Sequence, residues 1–437
     1  MIFIIIGLAI LLYGFSNVKK AFLIFLIFKM FLVTNITMVS IPGVPLLTLD
    51  LFMTICFSLL IYFRRRKIKL DRTAFPYWKP FKWLMISWFF STVFAYVGFG
   101  TAVSAFVKDL FLLIVTPYLM WLMITDKKDI LFLLKWIAIV MIPICIYGIY
   151  EYTIQSNPLA EYETTLISDK SKAINFSYGT DDFRGYRVQS VFEHAIGAGI
   201  NWGMFIVLYF TLKIKLKFPI GRNVGKLSIC AILLSMPCVI FSNSRAPLVF
   251  IMISSLAFIN LRSKKFYRYI FIAALLGIIV LPYFSDYANN LLSIFNSSAR
   301  EKVGGSTSEM RFEQLGAAFA LMMKSPLFGL GYKFLTVIDN SLTDAILGME
   351  STWFQILTTF GMLGVVSNIV YVYFSLVVIP KKYGSLPVLF ISLAYWMTAS
   401  MTSVPGMLMY FYFLIIICFI KLSPKYNSQV CTSFNSK

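Results

Sequence analysis

The sequence predicts an all-α polytopic membrane protein with about 12–14 transmembrane helices. Three observations carry that prediction. Of 437 residues, 59% are hydrophobic and only 13% charged, with a mean hydropathy of +0.80. A water-soluble chain of this length would expose far too much apolar surface. Apolar runs near the length of a membrane-crossing helix recur along the chain, and the basic residues gather in short segments between them.

The runs fall at 2–16, 20–38, 43–63, 81–99, 103–124, 130–151, 191–212, 226–242, 246–261, 269–285, 351–379, 385–402 and 406–421. Lys19-Lys20, Arg64-Arg65-Arg66-Lys67, Lys127-Lys128, Lys213 to Lys226, Arg262 to Arg268 and Lys381-Lys382 share one side if the runs alternate. That side is expected to be the cytoplasm, with the N-terminus outside. The net charge of +20 therefore orients spans, and no motif points to nucleic acid. The apolar N-terminus lacks a basic leader and a small-residue cleavage site, so it is read as a retained span. The six cysteines form no C-x-x-C pair and there is one histidine, so neither a metal site nor a cofactor is expected.

The resulting organisation is 1–151 N-terminal transmembrane helices, 152–190 a first external loop and 191–285 central helices. A large external loop follows at 286–350, then C-terminal helices at 351–421 and a cytoplasmic tail at 422–437. Both loops mix acids and bases, and long external loops with structure of their own are commonly functional. In the second, Ser306 and Glu309 have capping-box spacing. A helix fits 309–324, with Lys324 in its last turn and Ser325-Pro326 stopping it. It is too short and interrupted to span, and is expected to lie on the membrane surface, apolar face down.

Seven basic or acidic residues are candidate site residues. Arg245, in Phe241-Ser242-Asn243-Ser244-Arg245-Ala246-Pro247, sits at an outer turn. It is either a helix-end anchor or an anion ligand, and basic anchors favour the opposite side. Arg184 and Arg187 flank Gly185 just before a span; they either pair with Asp181 or Asp182 at the surface or clamp a diphosphate. His194 opens that span as a structural residue or as an acid, base or donor, with Glu193 in the same choice. Gly197 and Gly199 suit close helix packing. Arg311 falls in the first turn of the loop helix, where free backbone amides also favour an anion. Glu350 stands at the mouth of a span, either as a carboxylate favoured by the helix dipole or as a general base. Inside the runs, Asp50 is ionisable, and Lys108-Asp109 reads as a neutralised structural pair or a proton-coupling site.

The order of these pieces resembles the O-antigen polymerase and O-antigen ligase superfamily. An Arg-Gly-x-Arg segment precedes a small-residue span, and Ser244-Arg245 follows at an outer turn. An Arg311-led helix then runs into Pro326-Leu327-Phe328-Gly329-Leu330-Gly331. A polar mouth continues as Trp353-Phe354-Gln355-Ile356-Leu357 with Phe360-Gly361-Met362-Leu363-Gly364. The resemblance implies a GT-C-like membrane glycosyltransferase with an inverting, metal-independent mechanism. It would join undecaprenyl-diphosphate-linked repeat units into O-antigen, capsule or exopolysaccharide at the outer face of the bacterial cytoplasmic membrane. It implies diphosphate binding by Arg184, Arg187, Arg245 and Arg311, with Glu350, Arg311 and Arg245 as the catalytic set. Membrane lipids, a chain-length regulator and a flippase are the further partners it implies. In the ligase branch the last mouth carries a His-Asn pair; Glu350-Ser351 stands there in this chain, which leans toward a polymerase. The alternatives are a ligase moving finished glycan to lipid A core or another acceptor, and a polysaccharide transporter or flippase. The transporter reading calls for related halves and facing broken spans, and the sequence displays neither.

Overall fold

The structure is a computed structural model that describes residues 2–31, 36–39, 47–71, 73–166, 180–181, 185–258, 308–338, 349, 351–383, 385–402, 405–423 and 426. Its helices are α1 Ile2–Ser16, α2 Val18–Phe31, α3 Leu49–Arg64, α4 Trp78–Val93, α5 Phe99–Met123, α6 Lys127–Ile154 and α7 Pro158–Leu166. They continue as α8 Ala195–Lys215, α9 Arg222–Phe241, α10 Arg245–Ser255, α11 Ser308–Met322, α12 Thr352–Tyr383, α13 Leu386–Met401 and α14 Pro405–Leu422. Two short antiparallel hairpins accompany them, β1 Thr37–Val39 with β2 Leu47–Thr48 and β3 Thr180–Asp181 with β4 Gly185–Tyr186. The protein is an all-α polytopic membrane protein. Among the described residues, α5, α6, α8, α9 and α12 are long and apolar enough to cross a membrane, and four shorter helices are apolar as well.

Every predicted run falls on a helix except 269–285, which lies outside the described residues. The second and third runs need trimming: among the described residues α2 ends at Phe31, 37–39 pairs with 47–48 as β1 and β2, and α3 begins at Leu49. The Thr48 hydroxyl caps α3 by accepting from the Leu51 amide at 3.4 Å.

α8 is the central helix. It is buried along nearly its whole length, packed by α9, α10 and α14. Small residues permit this: a Cβ on Gly199 would sit 2.5 Å from Pro247 and 2.7 Å from the Ser242 hydroxyl, both at the entry to α10. Gly199 thus serves close packing, as the sequence led one to expect.

One end of the bundle is tied together by charge. Lys19 meets Asp129 at 2.7 Å, Lys69 meets Asp126 at 2.7 Å and Lys421 meets Asp71 at 2.9 Å. Lys421 also donates to the carbonyls of Trp121 and Ile124 at the C-terminus of α5, and Tyr426 donates to Asp71. The α1–α2, α3–α4 and α5–α6 connections and the end of α14 therefore share one end, as the distribution of basic loops requires. Within the bundle Asp50 finds its partner on α2: Lys29 reaches it at 2.6 Å with both side chains buried. Lys108 and Asp109 form no such pair among the described residues. Asp109 instead lines a cavity beside Tyr332.

Candidate active site

At the opposite end, Glu151 closes the last turns of α6. Its carboxylate is fully buried and accepts three hydrogen bonds: from the Gln189 amide at 3.0 Å, the Ser190 amide at 2.6 Å and the Tyr186 hydroxyl at 3.0 Å. Ser190 is held in a left-handed conformation, φ +53°. Its hydroxyl donates to the Ile144 carbonyl at 2.9 Å, and the Asn157 amide donates to its own carbonyl at 2.9 Å. The Val188 amide donates to the Phe241 carbonyl at 3.0 Å, and the Phe241 ring stacks on Tyr152 at 3.9 Å. Such a web over-determines the backbone of 186–190, which is what a strained segment needs to persist.

That segment carries Arg187. Its guanidinium donates to the Ser244 hydroxyl at 2.8 Å, and Ser244 in turn donates to the Ser242 carbonyl at 2.9 Å. Asn243 turns the chain with φ +44°, and Ser244 is the N-cap of α10, whose first residue is Arg245. The Arg-Gly-x-Arg and Ser-Arg motifs are thus one constellation, joined across 57 residues.

His194 faces the same constellation. It is the N-cap of α8, its Nδ1 accepting from the Ile196 amide at 3.1 Å. Burial pushes its pKa from 6.5 down to about 4, and the neighbouring Arg187 charge adds to the effect. At neutral pH the ring is uncharged, and with Nδ1 accepting, the proton sits on Nε2. The ring thus takes the structural role that the sequence left open, as the cap of α8, and keeps an N–H donor on Nε2. α8 and α10 both begin at this end, so the positive ends of their dipoles add to the arginine charge. Glu193 lies half-buried alongside.

The second motif pair is also one structural unit. α12 breaks at Gly361, whose φ +61° and ψ −157° no helix allows. The loop 326–331 lies into the break. Leu330 and Gly331 amides donate to the Thr358 and Thr359 carbonyls at 2.8 and 3.0 Å. Met362 and Leu363 amides donate to the Pro326 and Leu327 carbonyls at 2.9 and 3.1 Å. The backbone groups freed by breaking a span are therefore satisfied by the loop rather than by a second broken helix. Phe328 stacks between Phe94 and Phe90, at 4.6 and 5.5 Å, and anchors the loop to α4.

α11 leads into this loop. It runs over Ser308–Met322 rather than 309–324, and Ser306 lies outside the described residues. Its Ala318 and Met322 pack on Leu357 of α12, so this apolar face is covered by protein. Phe312, Phe319 and Met323 form a second, exposed apolar face. Arg311 sits half-buried in the first turn.

Of the predicted residues, the structure gathers Arg187, His194 and Arg245 at the starts of α8 and α10, and places Arg311 separately on α11. Arg184 and Glu350 lie outside the described residues. Among the described residues no three His, Cys, Asp or Glu side chains come together as a metal cluster. Glu151 was not singled out from sequence; as the last residue of an apolar run it carried no signal of a partner.

No match is found among curated proteins or among solved structures. Residues 230–369 match the family model described as O-antigen ligase, a stretch that holds Ser244-Arg245, Arg311 and both halves of the α12 knot. That stretch of the chain is similar to the O-antigen ligase family, consistent with the resemblance carried by the order of its motifs.

Proposed function

We propose that the protein polymerises lipid-diphosphate-linked oligosaccharide repeat units into a surface glycan, working at the outer face of the bacterial cytoplasmic membrane. The observation that carries this reading is the Arg187–Ser244 hydrogen bond. It joins two arginine-bearing motifs, distant in sequence, at the N-termini of two helices. Fixed positive charge and helix dipoles at one point suit a diphosphate leaving group.

In the proposed reaction an acceptor sugar hydroxyl attacks the anomeric carbon of the donor's first sugar from the face opposite the diphosphate. The new C–O bond forms as the bond to the lipid diphosphate breaks, with inversion. Arg187, Arg245 and Arg311, joined by Arg184, neutralise the departing diphosphate without a metal, and neutral His194 donates from Nε2. The acceptor's proton passes to Glu350. A chain-length regulator and a flippase are its working partners. The Glu350-Ser351 mouth in place of His-Asn supports a polymerase over a ligase.

The test is glycan formation in a strain lacking the native gene, with Arg187→Ala, Arg245→Ala, Arg311→Ala and Glu350→Gln each checked for membrane level. Accumulation of single lipid-linked repeat units supports the polymerase. Long lipid-linked chains that never reach a final acceptor identify a ligase. Normal glycan from all four variants overturns the site and leaves transport as the better reading.

A further inference from the structure

A cavity of about 300 Å³ lies between α4, α5, α12 and α13, just below the knot at Gly361. Its size is at the small end of ligand pockets, about 300–1,000 Å³. It reaches the first turn of α12, where Gln355 is exposed at the outer end. It is separate from the arginine constellation, because α13 packs on α10 with one face and supplies Tyr395 and Trp396 to the cavity with another.

Most of the lining is aromatic and apolar, yet three of its polar atoms are stranded. The Tyr332 hydroxyl, the Tyr371 hydroxyl and the Trp396 indole N–H are buried with no hydrogen-bond partner among the described residues. Their side chains are 8%, 1% and 7% exposed. Asp109 adds a carboxylate; the Tyr332 hydroxyl stands near it without making a hydrogen bond of ordinary geometry. Leaving a buried polar group unsatisfied costs its full desolvation. A cavity that keeps three such donors and a carboxylate in an apolar wall is incomplete without a polar occupant.

The chemistry of that occupant is constrained. An isoprenoid or acyl chain would leave every one of these groups unpaired. A phosphate or diphosphate would meet the Asp109 carboxylate in a low-dielectric wall. A neutral ring with hydroxyls on its rim and C–H groups on its face meets both features: Trp88, Tyr371 and Trp396 offer flat apolar surfaces. Asp109 accepts from hydroxyls, while the phenols and the indole donate to ring or hydroxyl oxygens.

We propose that this cavity binds one sugar ring of the glycan acceptor, oriented by Asp109, Tyr332, Tyr371 and Trp396. The identification of the sugar as the acceptor's rests on the function proposed above; the binding of a neutral sugar does not. The arginines then hold the charged leaving group on one side of α13, and the cavity holds the neutral sugar on the other.

The experiment is saturation-transfer NMR on the purified full chain in nanodiscs. The probes are methyl glycosides of glucose, galactose, N-acetylglucosamine and rhamnose. The variants are Tyr371→Phe and Asp109→Asn, which conserve volume, with Lys135→Ala, exposed on α6, as control and thermal midpoints measured for all. The expected result is transfer to at least one glycoside. Each cavity variant should weaken it about tenfold, the loss of one good hydrogen bond, and Lys135→Ala should leave it unchanged. No transfer to any glycoside, or transfer undiminished in both cavity variants, overturns the proposal. So does a wild-type density map showing an acyl chain or only ordered water in the cavity. If glycosides bind as expected but the arginine variants still make normal glycan, the proposed function fails and the sugar site stands. If the arginine variants lose glycan while no glycoside binds, the sugar site fails alone.

Discussion

Gly361→Ala and Gly316→Ala should move stability in opposite directions. Gly361 occupies φ +61°, ψ −157°, a region open to glycine alone, and a side chain forced there costs about 1–3 kcal/mol. Its Cβ would also fall 2.5 Å from the Gly329 nitrogen and 2.8 Å from the Leu327 carbonyl carbon. Both are backbone atoms, so relief means separating loop from helix. That separation puts at risk the four backbone hydrogen bonds of Leu330, Gly331, Met362 and Leu363, each contributing about 0.5–1.5 kcal/mol net. The alanine's lower unfolded-state entropy returns only about 0.4–1 kcal/mol. Gly316 is exposed inside α11 and an added Cβ meets nothing within 4 Å, so alanine there should gain about 0.5–1 kcal/mol. The assay is the thermal unfolding midpoint of detergent-purified protein at one heating rate, because unfolding of such a protein is a kinetic quantity. Hydrogen exchange of the peptides covering 326–331 and 358–363 reads the knot directly. A Gly361→Ala midpoint at or above wild type, with unchanged exchange at Leu330 and Met362, would refute the reasoning.

Glu151→Gln should leave one of the Gln189 and Ser190 amides facing an NH₂ group, a loss of about 1–3 kcal/mol. Faster exchange across 188–190 together with reduced glycan formation is expected, and wild-type exchange would show that Glu151 does not brace Arg187. Arg187→Ala and Ser244→Ala should each lower glycan formation, and the double variant should fall short of their sum, with a coupling of about 0.5–3 kcal/mol; strict additivity would mean the pair does not act together. His194 binds its proton more weakly folded than unfolded, so its neutral form stabilises the fold fully above pH 6.5. That stability is lost as pH falls from 6.5 to about 4, reaching about 3 kcal/mol at full protonation. His194→Asn keeps an N-cap acceptor, and the thermal midpoint of that variant should lose this part of the pH slope; an unchanged slope would place the titration elsewhere.

What the sequence revealed follows the range of the forces involved. The spans, and the gathering of several basic connections at one end, were legible because hydropathy and charge are local properties. Partnerships were not. Lys108 and Asp109 read as a pair because they are neighbours in sequence, but adjacent residues on a helix do not face each other. The pairing of Asp50 with Lys29 needed α2 packed on α3. Glu151 looked like the end of a span, because its acceptor role is defined by amides 38 and 39 residues away. The two glycine-rich motifs were visible separately, but nothing in their spacing indicated that each satisfies the other's backbone.

The knot explains why motifs with so little chemistry of their own fall within the family-matched stretch. Breaking α12 at Gly361 strands carbonyls and amides inside a span, and only a loop of fixed shape can take them up. Gly329 is left-handed at φ +71°, and a Cβ there would strike the Thr359 carbonyl. By filling the break, the loop delivers Tyr332 beside Asp109 and ties α11, with Arg311, to the N-terminal half of α12. The family-matched stretch, 230–369, supplies Ser244-Arg245, Arg311, Tyr332 and the knot. Arg187, His194 and Glu151 come from outside it, as do the α4, α5 and α13 walls of the cavity. The matched stretch thus provides one side of the arginine constellation and one side of the cavity, and under the proposed function a specificity for a particular glycan resides in the segments that complete them. Exchanging the α4–α5 and α13 walls between two such enzymes should therefore change the sugar accepted without disturbing the arginine constellation.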